Sequence, residues 1–105
     1  MKGWRYDEGS ISGTHGGLER FDQDRILISY ATKPGRNQMT LKTSMDEGKT
    51  WPVSRVIHEG PASYSDVAVA RDKSILVIYE SGNSNWHEYI ALARVNLSWL
   101  MEGNR

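Results

Sequence analysis

Cysteine is absent from the 105 residues, and neither sign of charge is in excess, with 13 Lys and Arg against 13 Asp and Glu. Without thiols there is no disulfide framework, no thiolate metal site and no cysteine nucleophile. A balanced chain with scattered cations lacks the basic excess that phosphate contacts demand, so nucleic acid is not an expected partner. Long apolar runs are missing too. The longest, Ile75 to Tyr79, has five residues, against the roughly 20 of a membrane-spanning helix. Met1-Lys2-Gly3-Trp4-Arg5 has no apolar stretch behind its positive charges, so no secretion signal is read there. Helical periodicity is the last absence. Nothing before residue 95 sustains an i, i+3, i+4, i+7 stripe over three turns. The length allows one domain at most.

What is present is period 2. It predicts an all-β chain with strands at Gly17 to Phe21, Arg25 to Tyr30, Met39 to Ser44, Val53 to His58, Asp66 to Ala70, Ser74 to Tyr79 and Tyr89 to Val95. Turn residues separate them at Asp22-Gln23-Asp24, Pro34-Gly35, Asp46-Glu47-Gly48, Gly60-Pro61, Asp72-Lys73 and Gly82-Asn83. Ser98 to Glu102 reads as a helical turn, with Ser98 as N-cap and Gly103 as stop. This spacing suits a small sandwich or barrel, or a pair of propeller blades. An internal echo favours blades: the segment opening at Gly17 is followed by a similar one at Ser65, 48 residues on.

Ser44-Met45-Asp46-Glu47-Gly48-Lys49-Thr50-Trp51 fits Ser-x-Asp-x-Gly-x-x-Trp on the turn between two predicted strands. The Asp46 carboxylate can accept turn N–H groups, Gly48 can take positive φ, and Trp51 can fold back as a plug. Such an Asp-box has a structural role, carried by Ser44, Asp46, Gly48 and Trp51, with Met45 and Glu47 read as unconstrained.

With the Asp-box, the order of motifs from Ile26 to Leu100 resembles the C-terminal part of the sialidases (neuraminidases) of the exo-α-sialidase family. The motifs are Pro34-Gly35-Arg36-Asn37, the box followed by Pro52, Gly60-Pro61-Ala62-Ser63-Tyr64-Ser65-Asp66, Tyr79-Glu80, and Ala93-Arg94-Val95-Asn96-Leu97-Ser98-Trp99-Leu100. The resemblance implies about two blades of a six-bladed β-propeller, one four-stranded and one three-stranded. Residues 11–59 would form one blade, 60–97 the last blade and 98–105 a C-terminal turn. It also implies missing upstream blades, sialylated glycans as partners, no cofactor and no metal. The family suggests a secreted, periplasmic or cell-surface setting.

By the same resemblance Tyr64 matches the nucleophile of a retaining exo-α-sialidase. Sialidases are known exceptions to the two-carboxylate scheme of glycosidases. The physical reason is that sialic acid carries a carboxylate on its anomeric carbon, which repels an anionic nucleophile and not a neutral phenol. Arg36 matches one arginine of the triad that grips that carboxylate, a task suited to a planar, permanently charged fork. Glu80 matches the glutamate that holds another triad arginine, and as a strand-end carboxylate it calls for a cationic partner in any case. Asp66 reads as structural. The family's acid/base aspartate, its tyrosine-activating glutamate and the other two arginines match nothing here, so the isolated chain is expected to be inactive.

Each residue also has an ordinary reading: Tyr64 as a half-buried strand tyrosine, Arg36 as a solvated loop arginine, Glu80 as a strand-end acid. The alternative function is a non-catalytic Asp-box fragment that binds carbohydrate or protein. His58-Glu59 and His87-Glu88 are adjacent pairs that a strand points to opposite faces, which disfavours a metal site. His15 reads as a loop histidine, and Gly13-Thr14-His15-Gly16-Gly17 lacks the Lys of a phosphate loop. Thr14-His15-Gly16-Gly17 and Asp72-Lys73 are departures from the family's usual segments, and Asn96-Leu97-Ser98 is a formal glycosylation acceptor.

Overall fold

The computed structural model describes residues 16–33, 36–82 and 88–102. Six strands form one antiparallel meander in chain order: β1 (Gly17–Arg20), β2 (Ile26–Lys33), β3 (Asn37–Ser44), β4 (Val53–Val69), β5 (Ile75–Ser81) and β6 (Tyr89–Val95), followed by the short helix α1 (Leu97–Met101). The meander curls into a half-barrel, as a partial β-propeller does. Thr14, His15, Pro34, Gly35, Asn83, His87 and Gly103 lie outside the described residues.

One difference from the strand reading is informative. The segments expected as Val53 to His58 and Asp66 to Ala70 are one strand, β4, which runs straight through Gly60-Pro61. Its first half pairs with β3 and its second half with β5. β4 therefore serves both a four-stranded sheet (β1 to β4) and a three-stranded one (β4 to β6). Proline fits there because its φ is compatible with extended backbone and its missing N–H is tolerated at irregular points of a ladder. Those irregularities are visible in the register. β4 carries one more residue than its partner between Val56 and His58, between His58 and Pro61, and between Ala62 and Ser65. Extra residues of this kind bend a strand and increase its twist, which lets one strand leave one sheet and join another.

Period 2 puts Leu27, Met39 and Leu41 on one face of the first sheet and Val67, Ile75 and Val77 on the facing side of the second, all 3% exposed or less. β1 and β4 approach closely. A Cβ on Gly17 would lie 2.5 Å from Val67 N and 2.6 Å from Asp66 Cα, so only glycine fits. The hydroxyls of Ser29 and Ser65 join the sheets at 2.8 Å. On the opposite face of β2, Ile26, Ile28 and Tyr30 are buried as well, which accounts for the unbroken apolar run at its start.

The helix cap differs from expectation. Asn96, not Ser98, is the N-cap, its Oδ1 accepting from Trp99 N at 2.8 Å. The geometry needs the acceptor three residues before that N–H, and Ser98 stands too close to it. Arg55 from β4 stacks over Trp99 at 4.2 Å and donates to its carbonyl at 2.6 Å, docking the helix on the sheet.

Candidate functional site

Arg36 closes the β2–β3 connection in the left-handed region, at φ 63°, a conformation uncommon outside glycine, asparagine and aspartate. Its carbonyl accepts from Ala62 N at 2.8 Å, tying the turn to β4 two residues before Tyr64. The extra residue between Ala62 and Ser65 then decides where Tyr64 faces. Strict alternation would set Tyr64 on the same side as the buried Ala62. With the insertion, Ser65 and Val67 follow the core side, and Tyr64 stands outside with Asp66, 46% exposed. The Arg36 guanidinium carbon lies 5.7 Å from the centre of the Tyr64 ring, within cation–π range. The two residues, 28 apart in sequence, therefore open on one face.

A groove of about 240 Å³ runs from Tyr64 and Asp66 on β4 across Ile78 and Glu80 on β5 to Ile90 on β6. Glu80 is half-buried, and its Oε1, withdrawn from solvent, has no hydrogen-bond partner among the described residues. A buried carboxylate oxygen in that state is costly unless a cation or donor reaches it. Asp66 is exposed, its Oδ1 turned back to accept from Val67 N at 2.9 Å. Tyr79, one residue before Glu80, faces the core instead. Burial pushes its phenol above the ordinary value, and Tyr89 adds to the shift.

The Asp-box turn lies at the far end of β3, eight strand residues from Arg36, roughly 25 Å away. It takes no part in the groove. Ser44 Oγ donates to Asp46 Oδ1 at 2.7 Å and accepts from Gly48 N at 2.9 Å. Asp46 also accepts from Thr50 N at 2.9 Å and Thr50 Oγ1 at 2.6 Å. The Thr50 hydroxyl and then its N–H, with Ser44 behind them, hold the Asp46 carboxyl down at about 2 from its ordinary 3.8. Gly48 takes φ 89°, and Trp51 is half-buried. The reading of Glu47 as unconstrained is corrected. It adopts φ 62° and pairs with Arg20 across the neighbouring hairpin. That partner is 27 residues away, so no local signal announces it.

His58 and Glu59 diverge. The His58 ring lies 6.0 Å from that of Tyr79 with its Nε2 out of solvent, while exposed Glu59 receives Gln38 Nε2 at 3.5 Å.

A curated sialidase from Micromonospora viridifaciens is 39% identical to this chain over 75 residues, which is 71% of the chain and 11% of the relative. That stretch is sialidase-related. The chain spans about a tenth of that relative's length. No family model matches it.

Proposed function

We propose that the chain is a C-terminal part of an exo-α-sialidase propeller, contributing Tyr64 as nucleophile, Arg36 as a ligand for the sialic acid carboxylate and Glu80 as the anchor of a further arginine. The observation that carries this reading is that the Arg36 guanidinium lies against the exposed Tyr64 ring, while the same groove is lined by Glu80, whose buried oxygen has no hydrogen-bond partner among the described residues, in a chain 39% identical to a sialidase over 75 residues. A guanidinium beside the phenol would hold the substrate carboxylate and so place the anomeric carbon near Tyr64 Oη, where a neutral oxygen can attack without charge repulsion. Attack forms a glycosyl–tyrosine bond as the aglycone oxygen leaves with a proton, and water then breaks that bond with overall retention. The substrate class is terminal sialosides of glycans.

Three groups must come from outside this chain: an acid for the leaving oxygen, a base for the phenol, and further cations. Removing any such group typically lowers the rate by orders of magnitude. The isolated chain should therefore give no hydrolysis of a fluorogenic sialoside above background. In a complete enzyme carrying this segment, Tyr64→Phe should lose turnover by at least about 100-fold. Arg36→Lys should chiefly raise KM, because lysine keeps the charge and loses the fork. Unchanged turnover in Tyr64→Phe would remove the nucleophile assignment and favour a binding module.

A further inference from the structure

Arg36 is not the only left-handed residue at the β2–β3 connection. Gln38, at the start of β3, takes φ 66°, and it does so where β3 faces the stretch of β4 that holds one residue too many, between His58 and Pro61. Two non-glycine residues with positive φ so close together persist only if their surroundings over-determine them. The Gln38 carbonyl is held by one side chain of its own strand and one of β2. Thr40 Oγ1 donates to it at 3.0 Å, Thr32 Oγ1 lies 3.2 Å from it, and the two hydroxyls are 3.0 Å apart. Beyond the clamp, the Arg36 carbonyl meets Ala62 N at 2.8 Å.

We propose that the Thr32–Thr40 hydroxyl pair, acting on the Gln38 carbonyl, is the positioning device that sets Arg36 over Tyr64. The inference rests on the reading of Arg36 and Tyr64 as substrate-handling residues. If Gln38 relaxed to extended φ, the peptides between it and Arg36 would rotate, and in a strand a single such change exchanges the faces of the residues beyond it. The guanidinium would then leave the Tyr64 ring. Thr40 is a suitable clamp because the residue is only 4% exposed, so little water competes for its hydroxyl. Thr40 and Gln38 are thus positioning residues, neither touching the substrate.

The experiment is proton NMR on the full chain at concentrations below those at which it associates, reading the nuclear Overhauser effect between the Tyr64 ring and the Arg36 δ-methylene. Thr40→Val keeps the shape and removes the donor, and should lose most of that signal, at least fivefold. Thr40→Ser should restore it. Gln38→Gly, which takes positive φ freely, should retain it. Should Thr40→Val fail to fold, Gln38→Val tests the same point, since a β-branched residue is excluded from φ near 66°. A full signal in Thr40→Val, or in Gln38→Val where the first variant is unfolded, overturns the proposal. No sialoside enters this readout, so it fails independently of the nucleophile assignment. Tyr64→Phe keeps the ring and its signal whatever happens to turnover.

Discussion

Both carboxylate oxygens of Asp46 are occupied, by Ser44 and by the hydroxyl and N–H of Thr50. All three donors favour the charged form, which is why the carboxyl sits at about 2 and not at 3.8. A carboxyl whose folded value is depressed contributes stability above its unfolded value and loses it as pH falls through the folded one. The window is therefore about pH 4 down to about pH 2. Asp46→Asn should lower the thermal midpoint at pH 7, and the gap to the unsubstituted chain should close progressively across that window. A gap that is constant from pH 7 to pH 2 would mean that the charge is irrelevant and only the shape of the turn matters. Part of this was open to the sequence, because Ser44, Asp46 and Gly48 act within one turn; Thr50, at an unassigned position of the motif, supplies the two strongest donors and was not read from it. Glu47 was not, since its constraint comes from Arg20 on another hairpin.

Among the elements, the hairpin between β4 and β5 shows how a rule can be broken and compensated. Asp72-Lys73 stands where a glycine suits the left-handed position, and Lys73 takes φ 71° regardless. A side chain there costs about 1 kcal/mol. What offsets it is reach: Lys73 Nζ donates to Phe21 O at 2.9 Å and lies 5.0 Å from the Phe21 ring, tying this hairpin to the β1–β2 hairpin. Those contacts are worth about 1 to 2 kcal/mol at a partly exposed site. Lys73→Met keeps the backbone cost and loses the charge, so it should destabilise by about 1 kcal/mol. Lys73→Gly loses the contacts and relieves the backbone, and should cost less. Urea unfolding of the two variants distinguishes them, and a Lys73→Gly variant less stable than Lys73→Met would refute the balance. The same scale shows why element type was more legible than connection. Alternation at Val67, Ile75 and Val77 is local and survives folding. The continuity of β4 through Gly60-Pro61 is not local, because its inserted residues exist only relative to partners on β3 and β5. Arg36 and Gln38 carry no compositional sign of positive φ, so the turn that presents the candidate arginine could be located but not shaped.

For the whole molecule, the decisive asymmetry is between the two faces of the second sheet. One packs into the core through Val67, Ile75, Val77 and Tyr79. The other presents Tyr64, Ile78, Ile90 and Leu92 at 46, 48, 64 and 65% exposure, with β6 as a sheet edge. Side chains of about 200 Å² each give roughly 400 Å² of apolar surface on one face, the size at which a patch on a monomer commonly marks an interaction site. An exposed apolar face beside an open strand edge invites self-association wherever two copies can meet. A blade normally covers such a face with its neighbour. The isolated chain should therefore sediment with a concentration-dependent mass or aggregate, and should lack a cooperative transition above about 60 °C. Replacing Ile90 and Leu92 together by lysine places two like charges on the exposed edge strand, where they oppose both stacking and edge pairing. Neither residue contributes to the core cluster, so the double variant should keep its β-sheet circular dichroism while remaining monomeric at concentrations at which the unsubstituted chain associates. If both proteins sediment as monomers with the same thermal midpoint, the exposed face is not the driving surface, and the chain is more self-sufficient than a two-blade array should be.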